Sequence, residues 1–584
     1  MNKIDKDILR TLLAETIISQ RELSEKLDYS LGAVNKSINN LKKEGYIDSD
    51  YKATRKAIED SRRHKPERAI ILAAGYGLRM VPINHITPKA FLEVRGEALI
   101  DRIIRQLHDV GITEIVIIVG FMKERFDCLI DKYGVELVVN QDYYRKNTLS
   151  SLSLVANRLS NSYIIPADLW FENNPFNSHE YYSWYMVSDK PSSESDVRIN
   201  RKQELTRISA DASGNTMIGL SYITNPDARV LKTKIESLAK DRRNDSLFWE
   251  TALYENNKMT VLANLINDSG AVEINTYEQL RDLDNNSNHL KADSIKVITE
   301  VFNCKPDEIV DISVLKKGMT NRSFLFKVRD ERYIMRIPGE GTELLIDRYN
   351  ETKVYGAIKG KGLCDDPVYI NPVNGYKITK YLNGIRVCDT NDPDDIAKCM
   401  DLLKSFHSMK LEVDHSFDIF GQIEFYESLR NNRPSMYSDY EQTKRDVMSL
   451  KGLIDSFPKQ ICLTHIDAVP DNFLFYKEGG KEKLQLTDWE YSGMQDPHMD
   501  IAMFCIYSMY DKDKIDRLID IYFENSCTDQ VRTKIYAYIS ACGFLWSNWC
   551  EYKSVLGVEF GEYSIRQYRY AKDYYTYVKQ RMGW

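Results

Sequence analysis

Hydrophobic and polar positions change their period twice along the chain. Over roughly residues 1–60 apolar side chains recur at helical spacing in three short pieces, "DKDILRTLLAE", "SQRELSEKL" and "SLGAVNKSINNLKKEGYI". Ser19 and Ser30 stand where helix N-caps belong, and Glu22 follows Ser19 at capping-box spacing. Leu9, Leu12, Leu13, Leu23, Leu27, Val34, Ile38 and Leu41 would converge between the three helices. A charged connector, "SRRHKPER", leads into the next block, residues 66–290. There the apolar run "AIILAA" enters a glycine-bearing loop, and a helix then leads to a second run, "EIVIIVG". That alternation predicts a mostly parallel sheet with covering helices. From residue 296 to 584 the pattern differs again: "SFLFKVRDERYIMRI" alternates with period two as a hairpin, "DRYNETKVYGAI" reads as a helix, and "LQLTD" as a strand.

Composition narrows the function classes. At 584 residues the chain exceeds one hydrophobic core, and 43% hydrophobic with 28% charged residues fits an ordinary globular protein. The formal net charge of −7 provides no overall field for nucleic acid, so any DNA-binding element is local. No apolar stretch reaches transmembrane length and the first residues carry charges throughout, so a cytoplasmic protein without a membrane span is expected. Ten cysteines are scattered without metal-ligand spacing and read as reduced thiols.

The first block resembles the winged helix-turn-helix of bacterial regulators. Its third helix would offer Asn35, Lys36, Asn39, Lys42 and Lys43 to DNA, beside a short wing, "DSDYKATRKA". Dimerisation or docking onto another domain are the other uses of such a fold, because acidic residues nearly balance basic ones here.

In the second block, ligands of a parallel sheet sit at the carboxyl ends of strands, where the loop after "AIILAA" lies. Gly75 and Gly77 let backbone N–H groups approach a polyphosphate, and Arg79 and Lys89 add charge. "LAAGYGLRM" followed by "TPKAFLEV" resembles the signature of nucleotidyltransferases that activate sugar phosphates and phosphocholine. "KYGVELVVNQDYYRKNTLSSLSLV", "LSNSYIIPADLWF" and "VEINTYEQLRDLD" narrow the resemblance to bacterial CTP:phosphocholine cytidylyltransferases. It implies that Leu72, Ala73, Ala74, Gly75, Gly77, Arg79 and Lys89 bind CTP, and that Asp168 and Asn275 hold Mg²⁺. A substrate phosphate would attack the α-phosphorus and expel pyrophosphate, with Lys89 or Arg79 neutralising the charge that develops.

Two departures bear on the substrate. Pro166 stands where the family commonly has an acidic residue, and "SDKPSSESDVRIN" lacks an aromatic for a quaternary ammonium. Trp184, Tyr222 and Trp249 are the alternative cage members, with core packing as their competing use.

In the third block the needs of a kinase-like fold are met by Gly318 and Asn321 at a loop over the phosphates, Arg336 as strand cation and Glu351 as the helix carboxylate that fixes it. "HIDAVPDN" sets Asp467 and Asn472 five apart, so that Asp467 reaches the acceptor hydroxyl while Asn472 faces a metal; Asp488, after "LQLTD", would chelate Mg²⁺ on the phosphates of ATP. His465 would brace the loop. This order, with "LLKSFHS" and "DPHMDIAMF", resembles the choline/ethanolamine kinase and aminoglycoside phosphotransferase superfamily. "FLWSNWCEYKSVLGVEFGEY" is similar to bacterial choline kinases, in which reading Trp546, Trp549 and Tyr552 wall a trimethylammonium and Glu490 adds negative charge; packing of an amphipathic core helix is the competing use of aromatics at that spacing.

The expected fold class is a multidomain α/β and α+β chain: winged helix, Rossmann-like nucleotidyltransferase domain and protein-kinase-like domain. The expected function is phosphorylation of choline by ATP followed by CMP transfer from CTP to phosphocholine. Ethanolamine or aminoethylphosphonate as substrate, and a transcription regulator with ligand-sensing enzyme-like domains, are the alternatives.

Overall fold

The computed structural model describes the chain except for residues 16, 18, 78–79, 84–86, 210, 268, 316–320, 340–344, 365, 431–432, 556–557 and 559, and the side chains of 321–322. The chain divides into two compact units, residues 1–300 with 312–314, and 301–311 with 315–584.

The first unit begins with three helices, α1 (Lys3–Ala14), α2 (Gln20–Leu27) and α3 (Leu31–Lys43). Ser19 and Ser30 accept the backbone N–H groups of Glu22 and Ala33, as the caps of α2 and α3. Ile8, Leu9, Leu23, Val34, Ile38 and Leu41 are fully buried between the helices. The wing is shorter than its sequence implied: Ile47 bridges Ala53, and Thr54 then caps a fourth helix, α4 (Arg55–Ser61). The charged connector is ordered, with the His64 ring 4.5 Å from that of Tyr181.

One side of α1 is docked. Arg10 Nη1 donates to Glu180 Oε2 at 2.9 Å, and the Tyr182 hydroxyl donates to Asp7 Oδ1 at 2.6 Å. Glu180 is fully buried and also accepts from the Tyr163 hydroxyl at 2.8 Å, while Tyr181 packs into the helical core itself. This buried ion pair keeps its other lone pairs satisfied, which is the condition for it to be tolerated.

The sheet of the first unit runs β1 (Arg68–Ala73), β2 (Glu114–Val119), β3 (Glu136–Val139), β4 (Ser162–Pro166), β5 (Trp184–Ser192), β6 (Val197–Ile199), β7 (Glu204–Arg207), β8 (Gly214–Ile223) and β9 (Lys258–Ile266) in sequence. In space the order is β3-β2-β1-β4-β8-β5-β9-β7-β6. β3, β2, β1 and β4 are parallel, and β8 pairs antiparallel with β4. Alternate residues serve two cores: Ala69, Ile71, Ile117 and Ile165 pack on one face, and Ile70, Ile118 and Ile164 on the other. Burial on both faces explains the unbroken apolar runs. Between β1 and β4 the strand order reverses, so their carboxyl ends open a crevice suited to a ligand.

In the second unit β10 (Asn321–Val328) and β11 (Glu331–Pro338) form the hairpin, α5 (Arg348–Ile358) follows, and β12 (Tyr369–Ile370) and β13 (Lys377–Lys380) extend the sheet from β11. Farther along come β14 (Phe473–Glu478), β15 (Lys481–Leu486), α6 (His498–Tyr507), α7 (Asp529–Val555) and α8 (Glu562–Met582). α7 is buried on every side from Thr533 to Tyr552 and forms the spine of the largest core. At Gly543 a Cβ would come within 2.7 Å of Gln567 O and Tyr570 Cβ, so glycine permits α7 and α8 to touch. No described helix is long and apolar enough to cross a membrane.

Candidate functional sites

The loop after β1 and the end of β4 meet because Ala167 N–H donates to Leu72 O at 3.1 Å. They open a cavity of about 730 Å³ lined by Leu72, Ala73, Ala74, Gly75 and Gly77, with Lys89, Asp168 and Asn275. Gly77 has φ of +64°, and a Cβ there would lie 3.0 Å from Lys89 Cγ, so glycine serves both the turn and the lysine's path. Lys89 Nζ donates to Asp168 Oδ2 at 3.1 Å and to Asn275 Oδ1 at 2.6 Å. Ile274 N–H donates to Asp168 O at 2.9 Å, which brings Asn275 beside Asp168 across 107 positions of sequence. The capping box of Thr276 and Gln279 fixes the chain just beyond.

A carboxylate and an amide oxygen converging on one cation are the donors a hard divalent ion prefers, so Asp168 and Asn275 fit Mg²⁺. Arg79 lies outside the described residues. Pro166 packs its ring over Gly219, whose φ is +90°, and leaves this end of the strand with one carboxylate, Asp168.

The aromatic alternatives separate cleanly. Trp184 and Tyr222 are fully buried in the core beside Tyr163 and do not line the cavity, which corrects their candidacy as cage members. Trp249 does line it, with Tyr185, Tyr254, Glu194, Asp196, Glu250 and Glu273. Tyr185 donates to Glu250 Oε1 at 3.0 Å; burial pushes the Glu250 carboxyl up to about 7, and the charge of Glu273 adds to it.

The second constellation is built on the loop between Thr464 and β14. His465 N–H and Ile466 N–H donate to the two oxygens of Asp500, at 3.0 and 2.7 Å. Asp500, in the first turn of α6, is fully buried and is held in turn by His407 Nε2 at 2.9 Å. This clamp holds Ile466 at φ +72°, a conformation costly for a β-branched residue, and directs Asp467 forward. His465 Nε2 lies 3.0 Å from Thr487 O, and burial lowers its pKa to about 4, so it braces as a neutral donor. Asn472 Nδ2 donates to Asp467 O at 2.8 Å and Oδ2 at 3.2 Å, and Thr487 N–H donates to Asn472 O at 2.9 Å. Asp467, Asn472 and Asp488 are thus gathered by backbone and amide bonds.

Burial, then the charges of Asp488 and Glu490, push the Asp467 carboxyl up to about 8. A site with that excess of negative charge fits a divalent cation, for which Asn472 and Asp488 are the available oxygen donors. Mg²⁺ is ordinarily held by one or two carboxylates with substrate phosphates completing the shell, so neither set needs a closed cage.

Arg336 on β11 meets Glu351 on α5 through two parallel contacts, one of them 2.8 Å, and is buried. Sequence reasoning missed two more cations here. Lys377 stands opposite Arg336 in the β-ladder, with Nζ 3.5 Å from Glu351 Oε1 and 2.7 Å from the Tyr355 hydroxyl. Arg348 Nη1 lies 3.0 Å from Glu351 Oε2 and 3.1 Å from Glu490 Oε2. Burial raises the Glu351 pKa, but Lys377, Arg336 and Arg348 outweigh it and hold the group down at about 2. Burial and Arg336 lower that of Lys377. Only the alternation in "YKITKY" hinted that Lys377 faces inward.

Glu490 therefore sits with Arg348 and at 3.8 Å from Arg336, where its charge is shared with arginines. Trp546 and Trp549 lie ring to ring at 5.6 Å, Trp546 faces Tyr491 at 6.1 Å, and Trp546, Trp549 and Tyr552 are 7–8% exposed. All three are nearly buried, with Trp546 and Trp549 edge to face. Gly318 lies outside the described residues, as does the side chain of Asn321.

Three family models match separate stretches of the chain. A family model for "Choline/ethanolamine kinase" matches residues 312–568, one for "MobA-like NTP transferase domain" residues 69–174, and one for "Winged helix-turn-helix DNA-binding" residues 1–48. A choline-phosphate cytidylyltransferase of Streptococcus pneumoniae is 32% identical over 231 residues, 37% of this chain and 96% of that protein. A 2-aminoethylphosphonate cytidylyltransferase of Lancefieldella rimae is 31% identical over 222 residues, 37% of this chain and 89% of that protein. The crystal structure of choline kinase LicA from Streptococcus pneumoniae aligns with a TM-score of 0.43 at 29% identity, covering 49% of this chain and all of that one. The chain belongs to the choline-phosphate cytidylyltransferase family, carries a choline/ethanolamine kinase domain and a winged helix-turn-helix domain on the same polypeptide, and is an enzyme of both transferase kinds.

Proposed function

We propose that the chain makes CDP-choline in two steps, phosphorylating choline with ATP in the second unit and transferring CMP from CTP to phosphocholine in the first. The observation that carries this is the presence of two independent oxygen-donor sites, Lys89–Asp168–Asn275 and Asp467–Asn472–Asp488, one in each unit. In the kinase site Asp467 takes the proton of the choline hydroxyl while Arg336, held by Glu351, orients the phosphates. In the transferase site Lys89 neutralises the charge that develops as phosphocholine attacks the α-phosphorus and pyrophosphate leaves. Mg²⁺ in each site would supply charge neutralisation on the phosphates.

The full chain supplied with choline, ATP, CTP and Mg²⁺ should yield CDP-choline and pyrophosphate. Asp467→Ala should accept only phosphocholine, and Asp168→Ala should stop at phosphocholine. Loss of both steps from either change contradicts two independent sites. Linkage on one chain raises the local supply of the intermediate. A second reading, ethanolamine or 2-aminoethylphosphonate as the head group, is favoured by the carboxylates Glu194, Asp196, Glu250 and Glu273 in the cavity, which suit a primary ammonium. ATP and CTP as substrates, with no disulfide among the described residues, support a cytoplasmic location. Duplex DNA is the partner proposed for the exposed Asn35, Lys36, Asn39 and Lys43 of α3, and salt-dependent binding would test it.

A further inference from the structure

The stretch that lacks an aromatic receives one from elsewhere in the fold. Tyr254 lies across the cavity rim from Asp196 and donates its hydroxyl to Asp196 Oδ1 at 3.1 Å. Against this pair sits Arg207, at the end of β7. Its guanidinium carbon is 3.9 Å from the centre of the Tyr254 ring, and its Nε is 3.3 Å from Asp196 Oδ2. An aromatic face with a carboxylate at its edge is a receptor for a cation, and here it holds one of the chain's own. Deeper in the same cavity, Glu250 Oε2 is buried with no hydrogen-bond partner, while its other oxygen is taken by Tyr185. The cavity therefore leads from a rim occupied by a cation to an interior with an unpaired acceptor.

From this we infer that Tyr254 and Asp196 form the head-group seat of the transferase site, and that Arg207 is a displaceable cover that selects for charge. A head group bearing a cationic nitrogen replaces the guanidinium contact for contact. A neutral one must dislodge Arg207 without restoring either the ring contact or the ion pair. The methyl-rich surface of a quaternary ammonium suits the ring face and needs no hydrogen bond from Asp196. This rests on the proposed cytidylyl transfer to phosphocholine and specifies how that substrate is chosen.

The test compares kcat/KM of the full chain, with CTP and Mg²⁺, for phosphocholine, for phosphoethanolamine and for 3,3-dimethylbutyl phosphate, the uncharged carbon isostere of phosphocholine. The wild type should prefer phosphocholine to the isostere by about tenfold or more. Arg207→Met should narrow that preference by raising turnover of the isostere. Tyr254→Leu should narrow it by raising KM for phosphocholine about tenfold, with kcat within about twofold. CMP transfer to phosphocholine at saturating substrate, close to the wild-type rate in the same preparations, reports that the first unit is folded in both variants. If both variants keep the wild-type ratio, or if the wild type uses phosphocholine and the isostere equally, the inference is overturned while the proposed reaction stands. A wild type that prefers phosphoethanolamine overturns the quaternary seat in favour of the second reading. A wild type that transfers CMP to none of the three overturns the proposed function, and the inference with it.

Discussion

Replacing Asp500 by Asn tests whether the kinase loop is clamped as the geometry implies. Asp500 accepts the N–H groups of His465 and Ile466 on separate oxygens and meets His407 on one of them. Asparagine keeps one acceptor oxygen and turns the other position into a donor, so one buried N–H loses its partner. A hydrogen bond to a charged acceptor is worth about 1.5–3 kcal/mol, and Ile466 at φ +72° stores about 1–3 kcal/mol that the clamp holds in place. With one anchor gone the loop relaxes toward an ordinary backbone and Asp467 withdraws from its aim. If the lost bond appears in the transition state, phosphorylation slows about 10- to 100-fold in kcat. The assay is ATP-dependent phosphorylation of choline at saturating substrate, with CMP transfer to phosphocholine by the same sample as an internal control, expected to be unchanged. A kcat within about twofold of wild type would refute the clamp.

Three further outcomes are expected. Because burial and the charges of Asp488 and Glu490 hold Asp467 near 8, it should be largely protonated at neutral pH and, in the proposed role of base, gain competence as pH rises. Kinase kcat/KM should therefore climb between about pH 7 and 9, and higher Mg²⁺ should move the midpoint to lower pH by offsetting those charges. A midpoint indifferent to Mg²⁺ contradicts this. Asn275→Ala should remove a donor from the Lys89–Asp168 site and weaken CMP transfer at least about tenfold, with partial recovery at high Mg²⁺ and more complete recovery in Asn275→Asp. Equal losses in the alanine and aspartate variants would argue against a metal role. Arg10→Met should leave Glu180 buried without its cation and destabilise the first unit by about 2–4 kcal/mol in denaturant unfolding, less than the full loss for a broken buried pair because Tyr163 still donates. An unchanged midpoint would show that Glu180 is satisfied without Arg10.

What the sequence disclosed was what lies close together along it. His465, Asp467 and Asn472 fall within one loop, and Gly75 and Gly77 within one turn, so their spacing, together with the family resemblance, showed that they would lie side by side. The buried double-sided strands were likewise plain from their unbroken apolar runs. Asp168 and Asn275, 107 positions apart, were paired only through the family resemblance, and other residues assembled from distant segments were not legible. Lys377 joins Glu351 only because β13 lies beside β11, and Arg348 reaches Glu490 across 142 positions. Trp184 failed as a candidate on parity: along β5 it points into the core and its neighbour Tyr185 toward the cavity, and composition does not say which side is which. The tie between α1 and Glu180 had no sequence signal, since each partner looks like an ordinary surface charge.

That tie bears on what the amino-terminal helices do for the rest of the first unit. Tyr181 is shared property: it completes the small helical bundle while belonging to the segment that opens β5. A chain cut to remove the first sixty residues would leave that ring wet and deprive its neighbouring acid of Arg10. Truncation at this boundary would therefore open an apolar patch on the nucleotidyltransferase body.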